Sequence, residues 1–270
     1  MPGIPKKMKF DQTILVWDTE TTGLDPAVDR VVEIAAVPVR LSHGAWSIGR
    51  GFSLLVDPDR EVPPEASAVH HITGAMCEDA PLLGDAVDAC RQGCFEGWPG
   101  GGDPARPPPP EWPDYGAAHN LKFDAGFLPE LRGRPAICTW RCALHLWPEA
   151  PGHSNQVLRY WLNLQPSPHL SEDAAYYPRA ANPHSALYDA YVTAALLGRM
   201  LQDHTPEQLV ELTGTPVVQT KIRFGKHRNE RWTELPTDYL RWMGRQGDWD
   251  EDAAHTLKVE LARRAALVGP

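Results

Sequence analysis

The chain contains one apolar run that ends in two carboxylates and a turn, Ile14-Leu15-Val16-Trp17-Asp18-Thr19-Glu20-Thr21-Thr22-Gly23-Leu24. Its first four residues are bulky and partly β-branched, which predicts a buried strand, and the Thr-Thr-Gly predicts its exit turn. Side chains two apart in a strand project to the same face, so Asp18 and Glu20 can hold one cation between them. A divalent ion such as Mg²⁺ suits this pair, because it takes oxygen ligands and keeps open positions for phosphate.

A lone D-x-E pattern is more often an exposed acidic strand end than a metal site. Two further segments strengthen the metal interpretation: Ala118-His119-Asn120-Leu121-Lys122-Phe123-Asp124 and His184-Ser185-Ala186-Leu187-Tyr188-Asp189-Ala190. In order and wording, the three segments resemble the three motifs of the DEDDh 3′→5′ exonucleases, the family that includes the proofreading subunit of bacterial DNA polymerase III. The resemblance spans roughly residues 10 to 203, and it implies a ribonuclease H-like fold.

This resemblance implies a set of catalytic residues. Asp18, Glu20, Asp124 and Asp189 would hold two Mg²⁺ ions, for which Mn²⁺ could substitute, and His184 would deprotonate the attacking water. Two ions can stabilise both the entering and the leaving oxygen of an in-line displacement, and a neutral imidazole can accept the proton.

The resemblance also implies substrate contacts. Thr22 and Leu24 would line the pocket of the 3′-terminal nucleotide. The segment Val69-His70-His71-Ile72-Thr73-Gly74 resembles a V-H-G-I-T stretch of the family, with His71 where glycine is usual. We count His70 as a candidate substrate contact, with a surface role as the alternative.

The composition describes an ordinary globular protein. The 270 residues are 42% hydrophobic and 23% charged, with a net charge of −9 that argues against general binding of nucleic acid over the whole surface. We expect a cytoplasmic protein with no membrane contact. The five cysteines form an odd set, and their two C-x₃-C spacings predict core packing rather than zinc or disulfides.

The expected fold class is α/β: a ribonuclease H-like mixed five-stranded sheet with flanking helices, plus a small C-terminal module. The predicted strands are residues 13–20, 29–39, 51–56, 114–118 and 135–139. Asn182-Pro183 predicts a helix start, which would place His184 in the first helical turn. Residues 96–113, rich in glycine and proline, predict a mobile surface loop.

The C-terminal region changes character after Asp203. Residues 221–231 carry five basic residues and one acid, and roughly residues 215–264 resemble a small module of the exonuclease X group within the family. We therefore predict an exonuclease domain at 8–203 and a module at 204–270 that contacts DNA, with Lys226 and Arg228 as substrate contacts. The alternative is that the basic cluster is a solvated turn.

The sequence thus predicts a metal-dependent 3′→5′ exodeoxyribonuclease that releases 5′-mononucleotides from DNA 3′ ends. An exoribonuclease of the same family and a non-catalytic nucleic-acid-binding module are the alternatives. A homo-oligomer is left open.

Overall fold

The computed structural model describes residues 12–95, 113–167 and 169–268. Its sheet has the order β3-β2-β1-β5-β6, with β4 also paired to β2. The strands are β1 (Thr13–Thr21), β2 (Val31–Ser42), β3 (Ala45–Ile48), β4 (Phe52–Leu55), β5 (Tyr115–Ala118) and β6 (Ala136–Cys138). The helices are α1 (Pro64–His70), α2 (Gly74–Cys77), α3 (Leu83–Phe95), α4 (Leu121–Phe127), α5 (Thr139–Leu146), α6 (Asn155–Trp161), α7 (His169–Tyr176), α8 (Ala186–Met200), α9 (Pro206–Gly214), α10 (Thr237–Gln246) and α11 (Glu251–Val268).

The sheet is mixed because its strands are joined in two ways. The first four strands follow one another through short turns, so β1 and β2 pair antiparallel. The long connection through α3 returns the chain to β5, which pairs parallel with β1 on its other side. This arrangement of a mixed sheet with flanking helices confirms the predicted fold class.

Alternation along β1 separates two hydrophobic cores. Ile14 and Val16 pack in the core that contains α8, whereas Leu15 and Trp17 pack in the core that contains α3 and α4. Even-numbered β1 side chains therefore face α8. Asp18 and Glu20 continue that face beyond the apolar residues.

In the part of the chain that the structure describes, the sheet has six strands rather than the predicted five, and the additional strand is β3. His43 and Gly44 both adopt positive φ, so the chain turns tightly and the next residues pair back on β2 as a hairpin. The strand is four residues long, and its side chains are alternately exposed and half-buried. So short a pattern at a sheet edge gives little periodic signal in sequence.

Three further predictions concern the cysteines, the loop at 96–113 and membrane contact. All five cysteines are buried free thiols. The predicted loop at 96–113 lies, except for Pro113, outside the described residues. Within the described ranges, no helix is long and apolar enough to cross a membrane.

The C-terminal region contributes to two different cores. Ile222, Trp232 and Leu240 belong to a separate cluster formed with α10 and α11. In contrast, Leu209 of α9 is fully buried in the core beneath α8. The division at residue 204 stays a prediction, and α9 packs with the larger unit.

A salt bridge ties the larger unit to α11. The two terminal guanidinium nitrogens of Arg141, Nη1 and Nη2, each donate to the Asp252 carboxylate at 3.0 Å. Nη2 also donates to the Thr215 carbonyl at 2.7 Å. The Val217 N–H donates to the same carboxylate at 2.8 Å. A bidentate pair of this kind fixes orientation as well as proximity.

Candidate active site

Three carboxylates meet where β1 approaches the start of α8. Asp18, Glu20 and Asp189 each offer one oxygen, and these atoms lie within 4.8 Å of one another. The two β1 residues reach this point because they share the even face of the strand, and Asp189 reaches it from the first turn of α8. The structure therefore brings together three of the four carboxylates that the sequence predicts.

Asp124 approaches from α4 and lies beside this group rather than within it. The residue is 4% exposed, and its carboxylate accepts a hydrogen bond from the Thr19 hydroxyl at 3.0 Å. Thr19 projects to the opposite face of β1 from Asp18. Its hydrogen bond to Asp124 therefore ties α4 to the end of the strand that carries Asp18. Among the neighbouring charges, that of Asp124 raises the pKa of Asp18 the most.

The crowded carboxylates are difficult to ionise together. Burial, followed by the charges of Asp124 and Asp189, raises the pKa of Asp18 well above its ordinary value. Burial, followed by the charge of Glu33, raises the pKa of Glu20 to about 8. Burial likewise raises the pKa of Asp124 to about 7 and that of Asp189 above its usual range. A bound cation would reverse these shifts by favouring the charged forms.

This donor set fits a hard divalent cation. All the ligand atoms on offer are carboxylate oxygens, which Mg²⁺ and Mn²⁺ accept, and no thiol or imidazole belongs to the cluster among the described residues. The cluster is therefore chemically suited to one or more divalent ions, whose charge would offset the repulsion among its acids.

The predicted helix start is wrong. Helix α8 begins at Ala186 rather than near Asn182, and His184 lies before it with φ 62°. Two carboxylates stabilise this start, since the His184 N–H donates to Asp189 at 3.0 Å and the Ala186 N–H donates to Glu33 at 3.1 Å. The Ala186 bond satisfies a free N–H of the helix end, and the His184 bond fixes the residue before the Ser185 N-cap, so the helix begins after Asn182-Pro183.

His184 nevertheless lies next to the carboxylate cluster. Its residue is exposed, and its backbone is fixed to the carboxylate of Asp189. A left-handed backbone is unusual for a histidine, and such strain is often found at functional sites. The structure thus places an exposed histidine, with its backbone fixed, directly beside a predicted metal ligand.

Glu33 is a residue that sequence reasoning missed. It pairs directly across from Glu20 on β2, is 4% exposed, and accepts hydrogen bonds from Ser53 and the Ala186 N–H. Arg179 donates to it at 3.3 Å. The acidic position within an otherwise apolar strand, Val31-Val32-Glu33-Ile34, was the available signal. Glu33 joins the sheet to the start of α8 and so positions Asp189.

Helix α6 supplies two more missed residues. The Gln156 side-chain amide donates to the Asp189 carboxylate at 3.1 Å, and the Asn155 amide donates to the Asp189 carbonyl at 3.2 Å. Both orient the first turn of α8. No sequence pattern indicated them, because the contact joins residues more than thirty positions apart.

The loop after β1 carries the two predicted pocket residues in different ways. The Thr22 hydroxyl is buried, donating to Asp29 and accepting the Arg30 N–H, so it closes the loop. A Cβ at Gly23 would lie 2.4 Å from the Asp29 carboxylate, so a larger residue there would displace the side chain that Thr22 binds. Leu24 is 83% exposed at the loop tip, where it can meet a substrate.

His70 lies inside the protein rather than at its surface. It is 2% exposed, its Nδ1 accepts the Ile72 N–H at 3.0 Å, and burial lowers its pKa. Arg179 donates to its carbonyl at 2.6 Å and to Glu33, so His70 supports the Glu33 network. His71 adopts φ 59°, the left-handed conformation that glycine prefers.

Lys226 and Arg228 are not part of the carboxylate cluster. Both are exposed in the segment 221–231, which folds back on itself through the Lys221–Arg231 bridge. Within the described ranges, no hydrogen bond or ion pair connects this segment to the carboxylates.

The chain is similar to two families and to several known proteins. A family model described as "Exonuclease" matches residues 15–98, and one described as "Putative quorum-sensing-regulated virulence factor" matches residues 206–257. Exodeoxyribonuclease 10 of Escherichia coli (strain K12) is 35% identical over 84% of this chain and 88% of its own length. DNA polymerase III PolC-type of Bacillus subtilis (strain 168) is 31% identical over 72% of this chain and 12% of its own length.

A solved structure adds to this comparison. Exonuclease X in complex with 5′ overhanging duplex DNA is 34% identical to this chain, with a TM-score of 0.56. The match covers 74% of this chain and 99% of that one. On the motifs, the fold and these relatives together, the chain belongs to the DEDDh 3′→5′ exonuclease family and is an exonuclease.

Proposed function

We propose that this protein is a metal-dependent 3′→5′ exodeoxyribonuclease that hydrolyses the terminal phosphodiester of a DNA 3′ end and releases 5′-mononucleotides. One observation carries the proposal. Asp18, Glu20 and Asp189 bring three oxygens within 4.8 Å of one another, with Asp124 beside them, in surroundings that hold several of their pKa values above the ordinary range. Such crowding of acids is stabilised by divalent cations.

In this proposal Asp18, Glu20, Asp124 and Asp189 hold two Mg²⁺ ions. When bound, the ions would supply charge stabilisation for the entering and leaving oxygens. Glu33 and Gln156 keep the start of α8 in place, so that Asp189 stays within reach of the β1 carboxylates.

His184 acts as the general base in this proposal. Its imidazole accepts the proton of the attacking water, whose oxygen forms the new bond to phosphorus as the sugar 3′ oxygen leaves. The exposed position beside Asp189 supports this role, and within the described residues the ring has no hydrogen-bond partner, so it is free to accept a bond from water.

Leu24 provides the contact with the terminal nucleotide. Its side chain is the more exposed of two large apolar ones, Leu24 and Val28, in a loop that is closed from within by Thr22 and Asp29. A rigid loop with an apolar tip can pack against the last base or sugar and so place the scissile phosphate at the carboxylates.

DNA is the proposed substrate because the similar proteins named above are an exodeoxyribonuclease, a DNA polymerase and an exonuclease bound to duplex DNA. The competing hypothesis within the family is RNA. The carboxylate cluster recognises metal and phosphate rather than sugar, so it favours neither.

The test compares DNA and RNA oligomers of one sequence, labelled at the 5′ end, with Mg²⁺ or with chelator. We expect a ladder that shortens from the 3′ end, nucleoside 5′-monophosphates as product, and faster loss of DNA. Asp18→Asn should lower the rate by several orders of magnitude while the protein stays folded. Glu61→Gln, an exposed acid outside the site, is the matched control. Wild-type turnover in Asp18→Asn, or activity in chelator, would overturn the proposal.

A further inference from the structure

Five rings form a continuous row in the C-terminal region, which we call the aromatic row. Phe224 stacks on Trp249 at a centroid distance of 4.9 Å, and Trp242 meets the edge of Trp249 at 6.5 Å. Tyr239 stacks on Trp242 at 5.4 Å, and His227 contacts Tyr239 at 4.5 Å. The row therefore connects α10, the segment before α11 and the basic segment 221–231.

The aromatic row lies on the core of this region, against which Phe224, Tyr239 and Trp249 pack. Trp232, Leu240 and Met243 are almost wholly buried and already form that core. Trp242 lies at the middle of the row and is 43% exposed. The indole of Trp242 is thus partly open to solvent, where a smaller or polar side chain would avoid the exposure of apolar area.

One cation lies over a ring of the row, and further cations lie in the same segment of the chain. The Lys226 ammonium is 5.1 Å from the centre of the Tyr239 ring. Segment 221–231 exposes five basic residues, Lys221, Arg223, Lys226, Arg228 and Arg231, and its one acid, Glu230, is paired with His227 at 3.0 Å. Among described residues, none of these five cations has an ion pair with a carboxylate. In a chain of net charge −9, this concentration of unpaired positive charge is local.

We propose that the aromatic row binds unpaired bases of single-stranded DNA, with a base stacked on Trp242 and the backbone phosphates held by Lys226 and its neighbouring cations. Every base has a π face, so stacking on a ring requires no particular sequence, and cations beside the rings track the phosphates. In a duplex the base faces are covered by their neighbours, which makes the row selective for unpaired strand. The inference rests on the proposed function in that DNA is the substrate.

The experiment measures binding rather than cleavage. A fluorescent oligodeoxythymidylate is titrated with the full chain carrying Asp18→Asn, in chelator, over a series of salt concentrations. Into this background go Trp242→Leu, which keeps apolar bulk without a π face, and Trp242→Phe, which keeps both. Trp161→Leu is the matched control, because Trp161 of α6 is exposed to a similar extent, 39%.

We expect Trp242→Leu to bind about 5- to 150-fold more weakly, the effect of losing one stacked base. Trp242→Phe and Trp161→Leu should bind like the parent protein, and blunt duplex binding should be unchanged in all three. The slope of log affinity against log salt should stay constant for Trp242→Leu. Neutralising Lys226 and Arg228 should instead lower that slope by about 0.7 for each phosphate that the protein no longer binds.

Equal affinity of Trp242→Leu and Trp242→Phe for the single strand would overturn the inference, provided that the two proteins melt at the same temperature. A salt slope lowered by Trp242→Leu would also overturn it, since the ring would then only support the cations. Both outcomes remain decisive if the chain proves inactive as a nuclease, because neither uses turnover.

Discussion

Replacing Glu20 with Gln should make the metal-free protein more stable while removing its activity. Burial and neighbouring charges raise the pKa of Glu20 from its ordinary 4.5 to about 8. The folded state therefore binds a proton that the unfolded chain releases between these two pH values. The contribution of Glu20 to the free energy of unfolding in chelator is highest below pH 4.5 and declines until the pH passes about 8.

The expected size follows from this shift. One pKa unit corresponds to about 1.4 kcal/mol, and pH 7 lies about 2.5 units above the ordinary pKa of a glutamate, so the penalty at pH 7 is roughly 3 kcal/mol. Glutamine has the same shape and no charge in either state. Glu20→Gln should thus match wild type near pH 4.5 and exceed it by roughly 3 kcal/mol at pH 7.

The assay is urea unfolding at several pH values, in chelator and in Mg²⁺, with Glu61→Gln as the exposed control. Mg²⁺ should stabilise wild type more than Glu20→Gln, because the ion needs the ionised carboxylates, and nuclease activity should fall by several orders of magnitude in the variant. If Glu20→Gln in chelator is no more stable than wild type at pH 7, the carboxylates are not crowded as the structure shows.

Three other predictions concern single contacts. His184→Ala should lower turnover about 10²- to 10⁴-fold and flatten the acidic limb of the pH–rate profile while metal affinity, measured by calorimetry, is retained; failure to bind metal would contradict a general-base role. Burial lowers the pKa of His119 from 6.5 to about 4, so the part of the free energy of unfolding that is present above pH 6.5 should be lost as the pH falls toward 4. The variant His119→Gln should lose less of its free energy of unfolding over that range, as measured by urea unfolding. Arg141→Ala should cost about 1.5 to 3 kcal/mol in chemical unfolding, because the partly exposed Asp252 loses two charge-assisted hydrogen bonds and keeps the Val217 N–H; an unchanged midpoint would show that the tie to α11 is dispensable.

The sequence predicted the features that depend on neighbouring residues. The bulky, partly β-branched run Ile14-Leu15-Val16-Trp17 correctly indicated the strand that carries Asp18 and Glu20, and the apolar spacing of α8 indicated the helix that carries Asp189. Both patterns repeat locally, so tertiary contacts are not needed to recognise them.

The features that sequence reasoning missed depend on distant contacts. The start of α8 is set by Glu33, which lies 153 positions away from the amide it binds at Ala186. Gln156 reaches Asp189 from another helix, and Leu209 joins the main core although it follows the apparent end of that unit. Such contacts have no periodic signature, because they are specified by where elements pack rather than by spacing along the chain.

Successive side chains of β1 point to opposite faces of the sheet, so the face on which a residue lies depends on its position counted along the strand. A single residue inserted between Trp17 and Asp18 would change no ligand, yet it would turn Asp18 and Glu20 toward α3 and α4. Thr19 would then point toward α8 in their place. A two-residue insertion would restore the facing direction but carry the carboxylates roughly 7 Å farther along the strand, out of reach of Asp189. The length of β1 from its buried residues to its acids is therefore a component of the site in its own right.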